Sequence, residues 1–304
     1  MEHHPLVSII IPSFNHGAYL PEAVDSVRQV LYPNYEIVIV DDGSSDAISR
    51  AVAEGYANDP DCKVILQENR GVAASRNVAI NAAKGKYIIP LDADNKLLPP
   101  YFQQGLAILE QNPNVGVVHG DAIIIGEKKG NWKNHPLKLE EIIFENYIDN
   151  CAIFRKSCWE AAGGYDENAP FHTREDWFFW LSLLELGFEF KYIPAYCFEY
   201  RFLSNSKVRS RAASMINRLK ISEYIYPTQE RLIQKFMQSG EIDLPTANKL
   251  SGKLRSQLAY YHLGFGSVLK GYSYLWKSMI YTPDWLKYIK LAISWPVKRL
   301  TTTP

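Results

Sequence analysis

The sequence predicts an α/β protein with a doubly wound sheet, followed by a C-terminal all-helical appendage. Three observations carry this reading. Short apolar runs alternate with helical periods through the first third of the chain, and each run stops at a polar cluster. After about Ser206 no strand-like run recurs. Val7-Ser8-Ile9-Ile10-Ile11, stopped by Pro12, reads as a buried strand, and Leu20, Ala23, Val24, Val27 and Val30 follow with helical spacing. Glu36 to Val40 is a second apolar strand, ending in Asp41-Asp42-Gly43-Ser44-Ser45-Asp46. Strand, helix and strand in that order make a right-handed βαβ unit with parallel pairing. A helix over about 47–57 leads to strand Lys63–Leu66. Gly71 opens a helix through Arg76 and Asn77 to about Ala83, and Lys86–Leu91 is the next strand.

Beyond Asn95 the alternation changes character. Pro99–Gln111 reads as helix, and Val115–Gly120 as a strand followed by Asp121 and Ile123–Ile125. Ile142–Phe154 is mixed, Gly163-Gly164-Tyr165-Asp166 is a turn, and Glu175-Asp176 opens an apolar helix, Trp177–Leu186. Lys191–Pro194 and Tyr196–Tyr200 read as extended. The remainder reads as four or five helices with breaks near Pro227, Gly240, Gly264-Phe265-Gly266 and Pro283. Leu258–Pro283 has the spacing of a helical hairpin, loosely like one tetratricopeptide unit. The expected division is a catalytic domain over 1–205 and a basic helical domain over 206–304.

A chain of 304 residues with 47% hydrophobic and 22% charged residues has material for a full core. Net charge is zero but unevenly placed. From Asn205 onward 16 Lys and Arg face 5 Asp and Glu, so the front carries a balance of −11 and the tail +11. By charge alone the tail suits nucleic acid or an anionic membrane surface. The four cysteines show neither Cys-x-x-Cys nor zinc-like spacing and read as reduced, mostly buried thiols. The N-terminus has no signal-peptide pattern, and no run approaches a membrane span. The expected location is cytoplasmic, with peripheral contact at the inner face of the membrane.

The richest stretch is Tyr87-Ile88-Ile89-Pro90-Leu91-Asp92-Ala93-Asp94-Asn95, an apolar strand ending in two carboxylates one residue apart. In an open α/β sheet, ligands bind beyond the carboxyl ends of the strands. Two acids there repel one another unless a cation sits beside them. A divalent ion carrying a nucleotide diphosphate answers this economically, because hard carboxylate oxygens suit Mn²⁺ or Mg²⁺. A lone Asp-x-Asp also fits a solvated turn. The two polar strand ends upstream move the balance toward a site.

VSIIIPSFNHGAYLPEAVDSVRQ, then YEIVIVDDGSSD, then NRGVAASRNVAINAAKGKYIIPLDADN resemble the nucleotide-binding half of family-2 glycosyltransferases with the GT-A fold. The likeness runs from about Leu6 to Ser206. It implies a GT-A-type mixed sheet and an inverting, metal-dependent transferase using a nucleotide-diphosphate sugar. UDP is the default nucleotide, with GDP and dTDP open, and the acceptor is a saccharide or lipid-linked. By this resemblance Pro12, Ser13 and Phe14 seat the nucleobase and Asp42 reads it. Asp92 and Ala93 face the donor, and Asp94 touches the metal. Core packing is the plain alternative for Phe14, and helix capping falls to Ser44, Ser45 or Asp46. Arg76 suits a forked contact to carboxylate or phosphate, with an ion pair as the ordinary alternative.

Downstream, the resemblance makes Asp176 the general base, with Glu175 bracing the acceptor loop. Gly164, Tyr165 and Trp177 lie on the acceptor side. A helix N-terminus favours the ionised carboxylate a base needs. Many relatives carry Tyr-Arg-x-His, whose histidine helps ligate the metal. Here the stretch is Tyr200-Arg201-Phe202-Leu203, so coordination rests on Asp94, diphosphate and water, and Arg201 with Ser204-Asn205-Ser206 can contact the diphosphate. His119 reads as a satisfied structural histidine.

Three competing classes stand beside this one. A nucleotidyltransferase would show a glycine-rich phosphate loop with lysine near the first strand, which this sequence lacks. A catalytically inactive carbohydrate-binding module of the same fold is opposed by the intact acids. A nucleic-acid-binding protein rests on the basic tail alone, and no nucleic-acid partner is expected. In Asp284–Leu300, Trp285, Ile289, Ala292 and Ile293 share one helical face, with Lys287 and Lys290 opposite. That pattern fits a helix in a membrane interface, or one docked on the catalytic domain or on a second subunit of a homodimer.

Overall fold

Strand β1 (Val7–Ser13) shows how the sheet is built. Its side chains alternate between faces, so Val7, Ile9 and Ile11 join a core with Leu20, Ala23, Val24 and Val27, while Ile10 is buried on the opposite face. Burial on both faces is what a helix-covered parallel strand requires. In this computed structural model, which describes residues 4–170, 174–204 and 215–279, β1 pairs in parallel with β2 (Tyr35–Asp41) and β4 (Tyr87–Pro90). β3 (Cys62–Leu66) adds outside β2. The intervening helices are α1 (Leu20–Gln29), α2 (Ala47–Gly55) and α3 (Val72–Ala82). Asp46 caps α2, accepting from Ser49 N at 2.7 Å.

The sheet then becomes mixed. Its order is β3-β2-β1-β4-β8-β6-β9-β5, with β7 on the flank of β6. The later elements are β5 (Lys96–Leu97), α4 (Leu106–Gln111), β6 (Val115–Gly126), β7 (Gly130–Trp132), α5 (Leu139–Ile142), β8 (Ile153–Arg155), α6 (Lys156–Ala162), α7 (Glu175–Leu186) and β9 (Glu189–Phe202). β8 runs antiparallel to β4 and β6, and β9 parallel to β6. The mixed sheet with its covering helices is the predicted class.

Several elements differ from their sequence expectations. The helix before β6 starts with a π turn at Tyr101–Gly105. The runs around Asp121 fuse into one strand, as do those around Pro194. Pro194 has no N–H to give, and the β6–β9 register shifts there, from Gly120↔Ile193 to Asp121↔Tyr196, so the strand passes it as an irregularity.

By packing, residues 1–168 with 174–206 form one unit, and 169–173 with 207–304 a second. Within the second, the described helices are α8 (Met215–Gln238), α9 (Leu244–Phe265) and α10 (Val268–Met279). Pro227 lies inside α8 instead of ending it, whereas chain turns fall at Gly240 and Gly266 as expected. Asp243 caps α9 through Thr246 N at 2.8 Å. Pro283 and the 284–300 stretch lie outside the described residues, and among those described no helix is long and apolar enough to cross a membrane.

Candidate active site

The carboxyl ends of β1, β2 and β4 lie side by side, which is where a parallel sheet delivers side chains to a ligand. The β1 end is tied to β2 by Asp42 N donating to Ser13 O at 2.8 Å. Asn15, at φ 57, stitches the two loops, donating to Ser45 Oγ at 2.8 Å and accepting from Ser45 N at 2.8 Å. Ser13 Oγ is buried and without a partner among the described residues. A buried hydroxyl with no protein partner is free to bond a ligand or a water. Pro12 and Phe14 flank it, both half-buried.

Asp42 is buried, and its carboxylate accepts from Gln67 Nε2 at 2.7 Å, Arg70 N at 2.9 Å and Gly71 N at 2.9 Å. It therefore braces the loop that starts α3, at Gly71 with φ 92. A carboxylate offers about four acceptor positions, so one remains open to a further donor.

Asp92 and Asp94 follow β4 in a turn closed by Asn95 N donating to Asp92 O at 2.9 Å. Ala93 puts its methyl group in the core, so its side chain does not reach a ligand at the edge. Burial, with the neighbouring Asp92 charge, raises the Asp94 carboxyl above its ordinary value. His16 and Arg201 partly offset this. Arg201 does not point to an open cleft. It donates from Nε to Asp94 O at 2.8 Å and from its terminal nitrogen to Glu22 at 2.9 Å, lying over the Tyr19 ring. It thus fixes the Asp94 backbone. The Ser204 end of its loop is described, whereas Asn205 and Ser206 are not.

Arg76 joins the Asp92 turn to the start of α7. Its side chain is 3% exposed; it donates to Asp92 Oδ1 at 2.8 Å and pairs with Glu175 through its other terminal nitrogen. The Tyr165 ring lies 5.6 Å from its guanidinium. Asn150, with its amide turned so that both neighbours are matched, accepts from Arg76 Nε at 3.1 Å and donates to Tyr165 Oη at 2.9 Å. Of the two partner classes open to it in sequence, Arg76 takes carboxylates, and it does so in a buried pair. Glu175 accordingly braces Arg76, where the acceptor loop had been expected.

Asp176 opens α7 beside this pair. Its Oδ1 accepts from Trp177 N and its Oδ2 from Asn146 Nδ2, each at 2.7 Å. Burial, then the Glu175 charge, pushes its carboxyl up to about 8, against the pull of Arg76. A helix N-terminus contributes at most about 2 kcal/mol, roughly 1.5 pKa units. Desolvation wins, so the expectation of a carboxylate held ionised by the helix is corrected.

Tyr165 and Trp177 also need correction. At 2% and 5% exposure they are struts and offer no ring to an acceptor. Tyr165 packs on Phe179 at 4.5 Å, and Trp177 Nε1 donates to Ile142 O at 2.6 Å. The turn at Gly164 (φ 93) is held by Asn77, which accepts from Tyr165 N at 2.8 Å and donates to Tyr165 O at 2.8 Å. A Cβ at Gly164 would come within 2.9 Å of Asn77 Oδ1.

Sequence reasoning missed Asn146 and Asp149. Asp149 accepts from Cys151 N at 2.8 Å, and burial, with the Asp92 charge, pushes it up to about 7. Neither sits in a motif, and only the loop before β8 brings them to the edge. His119 is buried against Tyr192 with both ring nitrogens unpartnered among the described residues, so it is neutral, held down to about 4, and unsatisfied where satisfaction was expected.

A divalent ion fits the donor set in one way. Hard oxygens and surplus negative charge gather at Asp92, Asp94 and Asp149, yet among the described residues no group of three or more His, Cys, Asp or Glu forms a cage. An ion here would be shared with a ligand's phosphates, as Mg²⁺-type sites commonly are.

Residues 8–174 match the family described as Glycosyl transferase family 2. The chondroitin synthase of Escherichia coli is 30% identical over 198 residues, 64% of this chain, and this chain spans only 28% of that protein's length. The fold is similar to Staphylococcus aureus TarS 1-349 in complex with UDP-GlcNAc, with a TM-score of 0.63 at 16% identity over 96% of this chain and 92% of that one. It is also similar to the mannosyltransferase PcManGT of Pyrobaculum calidifontis in complex with GDP-Man and Mn2+, with a TM-score of 0.56 at 17% identity over 98% and 88%.

Proposed function

Because the chain belongs to glycosyl transferase family 2, we propose that it is an inverting enzyme moving a sugar from a nucleotide-diphosphate donor, UDP-linked by default, to a hydroxyl of a saccharide or lipid-linked acceptor. The synthesis of a surface polysaccharide or glycoconjugate is the setting we favour; the similarity to a chondroitin synthase supports it. The observation that carries the chemistry is the bridge Asp92–Arg76–Glu175, which ties the Asp-x-Asp turn to the residue beside Asp176. Donor carboxylates and a candidate base therefore share one sheet edge.

In this reading Ser13 and Asp42 hold the nucleoside, and Asp92 faces its ribose. Asp176 takes the proton of the acceptor hydroxyl, whose oxygen bonds to the anomeric carbon as the bond to the diphosphate breaks, its electrons leaving with the nucleotide. Asp94 would hold Mn²⁺ or Mg²⁺, which when bound supplies charge neutralisation for the diphosphate. The PcManGT complex with Mn2+ supports that cofactor class.

A carboxyl at about 8 is a strong proton acceptor once ionised and inactive while protonated, so activity should rise with pH through that region. Asp176→Asn is expected to lower turnover by roughly 10²–10⁴-fold, with UDP affinity retained by calorimetry. Near wild-type turnover in that variant would refute the assignment.

A further inference from the structure

The segment between α5 and β8 closes a loop onto the helix that bears the base. Trp177 Nε1 donates to Ile142 O at 2.6 Å, and Trp180 Nε1 to Ile148 O at 3.2 Å. Both indoles belong to α7, so the helix clamps the segment on either side of Asn146. The Asn146 amide has its orientation set locally. Ile148 N donates to Asn146 Oδ1 at 3.1 Å, which leaves the NH₂ group facing Asp176 Oδ2 at 2.7 Å. Trp177 N holds the other oxygen at 2.7 Å. Two donors from different segments thus fix the rotation of one carboxylate.

We infer that Asn146 is a positioning residue: its clamped amide sets which lone pair of Asp176 meets the acceptor hydroxyl and stabilises that carboxylate in its ionised form. The inference rests on the reading of Asp176 as base. The other charged groups acting on Asp176 are Glu175 on its own helix, Arg76 from α3 and Asp149 from the loop before β8. Glu175 and Asp149 oppose ionisation, and Arg76 and the two hydrogen bonds favour it. Asn146 acts on the base without itself touching substrate.

The test uses the full chain with Mn²⁺ and whichever of UDP-GlcNAc, UDP-glucose and GDP-mannose the wild-type protein hydrolyses fastest. Nucleotide release is followed against pH. A hydrogen bond to a charged group is worth about 1.5–3 kcal/mol, so Asn146→Ala should lower kcat about 10–100-fold. KM and UDP affinity should stay within about twofold, and the acidic limb of the profile should move to higher pH by about one unit. Asn146→Asp, which replaces the donor with a like charge, should move it further. A carboxyl NMR titration of aspartate-labelled protein, with the Asp176 signal identified by its loss in Asp176→Asn, should show the same upward shift without any donor. An unchanged profile and titration in Asn146→Ala would overturn the inference, as would a loss of UDP binding and thermal stability in step with kcat. Asp176→Asn run in parallel separates the two readings. If it stays active, the base assignment itself fails. If it is inactive while Asn146→Ala behaves as wild type, only the role of Asn146 falls.

Discussion

At the scale of single residues, Arg76 decides the electrostatics of the edge. It sits among Asp92, Glu175 and, more remotely, Asp176, and those charges hold its guanidinium firmly protonated against the cost of burial. Removing one member of a buried ion pair costs far more than the pair contributes, because the remaining charge is left without solvent or partner. Arg76→Gln should therefore lower unfolding stability by about 3–5 kcal/mol in urea titration, and it should raise KM and lower kcat together. Arg76→Lys should recover part of the stability, since an ammonium can meet one carboxylate. It should recover little turnover, since a point charge cannot bridge two. A lysine variant with wild-type kinetics would show that the bridge is not needed.

At the scale of elements, the approach of the loop before α1 to α2 depends on a missing side chain. Gly17 N donates to Ser49 Oγ at 2.8 Å, and a Cβ on Gly17 would stand 2.4 Å from Ser49 Cα. The atom in the way is backbone, so it cannot swing aside. Gly17→Ala should cost about 1–3 kcal/mol by overpacking. Because the same loop carries Asn15 and follows Ser13, UDP affinity should fall with it. Thermal unfolding and calorimetry read the two effects, and unchanged values in both would mean that the loop gives way freely. Asn77 shows the same kind of economy, since one amide holds the Gly164 turn and receives Trp159 Nε1 at 2.9 Å.

For the whole molecule, the strand-end chemistry belongs to the first packing unit, and the basic 284–304 stretch lies outside the described residues. Removing 284–304 should leave a folded protein that binds UDP as the full chain does, because all the strand-end motifs precede Ser206. Co-sedimentation with anionic vesicles should fall, since Lys287, Lys290, Lys298 and Arg299 leave with the Trp285-bearing face. Equal, salt-insensitive behaviour of both forms, with aggregation of the shortened one, would favour a docking helix.

The sequence by itself determined the parallel half of the sheet, the place of the acids on its edge and the family. Those features are local: an apolar run of strand length, a stop at a polar cluster and a helical period are each written in adjacent residues. It also placed a helix cap among Ser44, Ser45 and Asp46, and the structure chose Asp46. Only the tertiary structure decided what the acids face. Arg76 and Glu175 lie ninety-nine positions apart, and Asn146 and Asp176 thirty. Spacing carries no trace of such contacts. The same is true of burial: the family resemblance put Tyr165 and Trp177 on the acceptor side, and packing from Phe179 and Ile142 made them struts. The raised Asp176 follows from this, because desolvation depends on every neighbour at once, whereas the helix start seen in sequence supplies only the smaller, opposing effect.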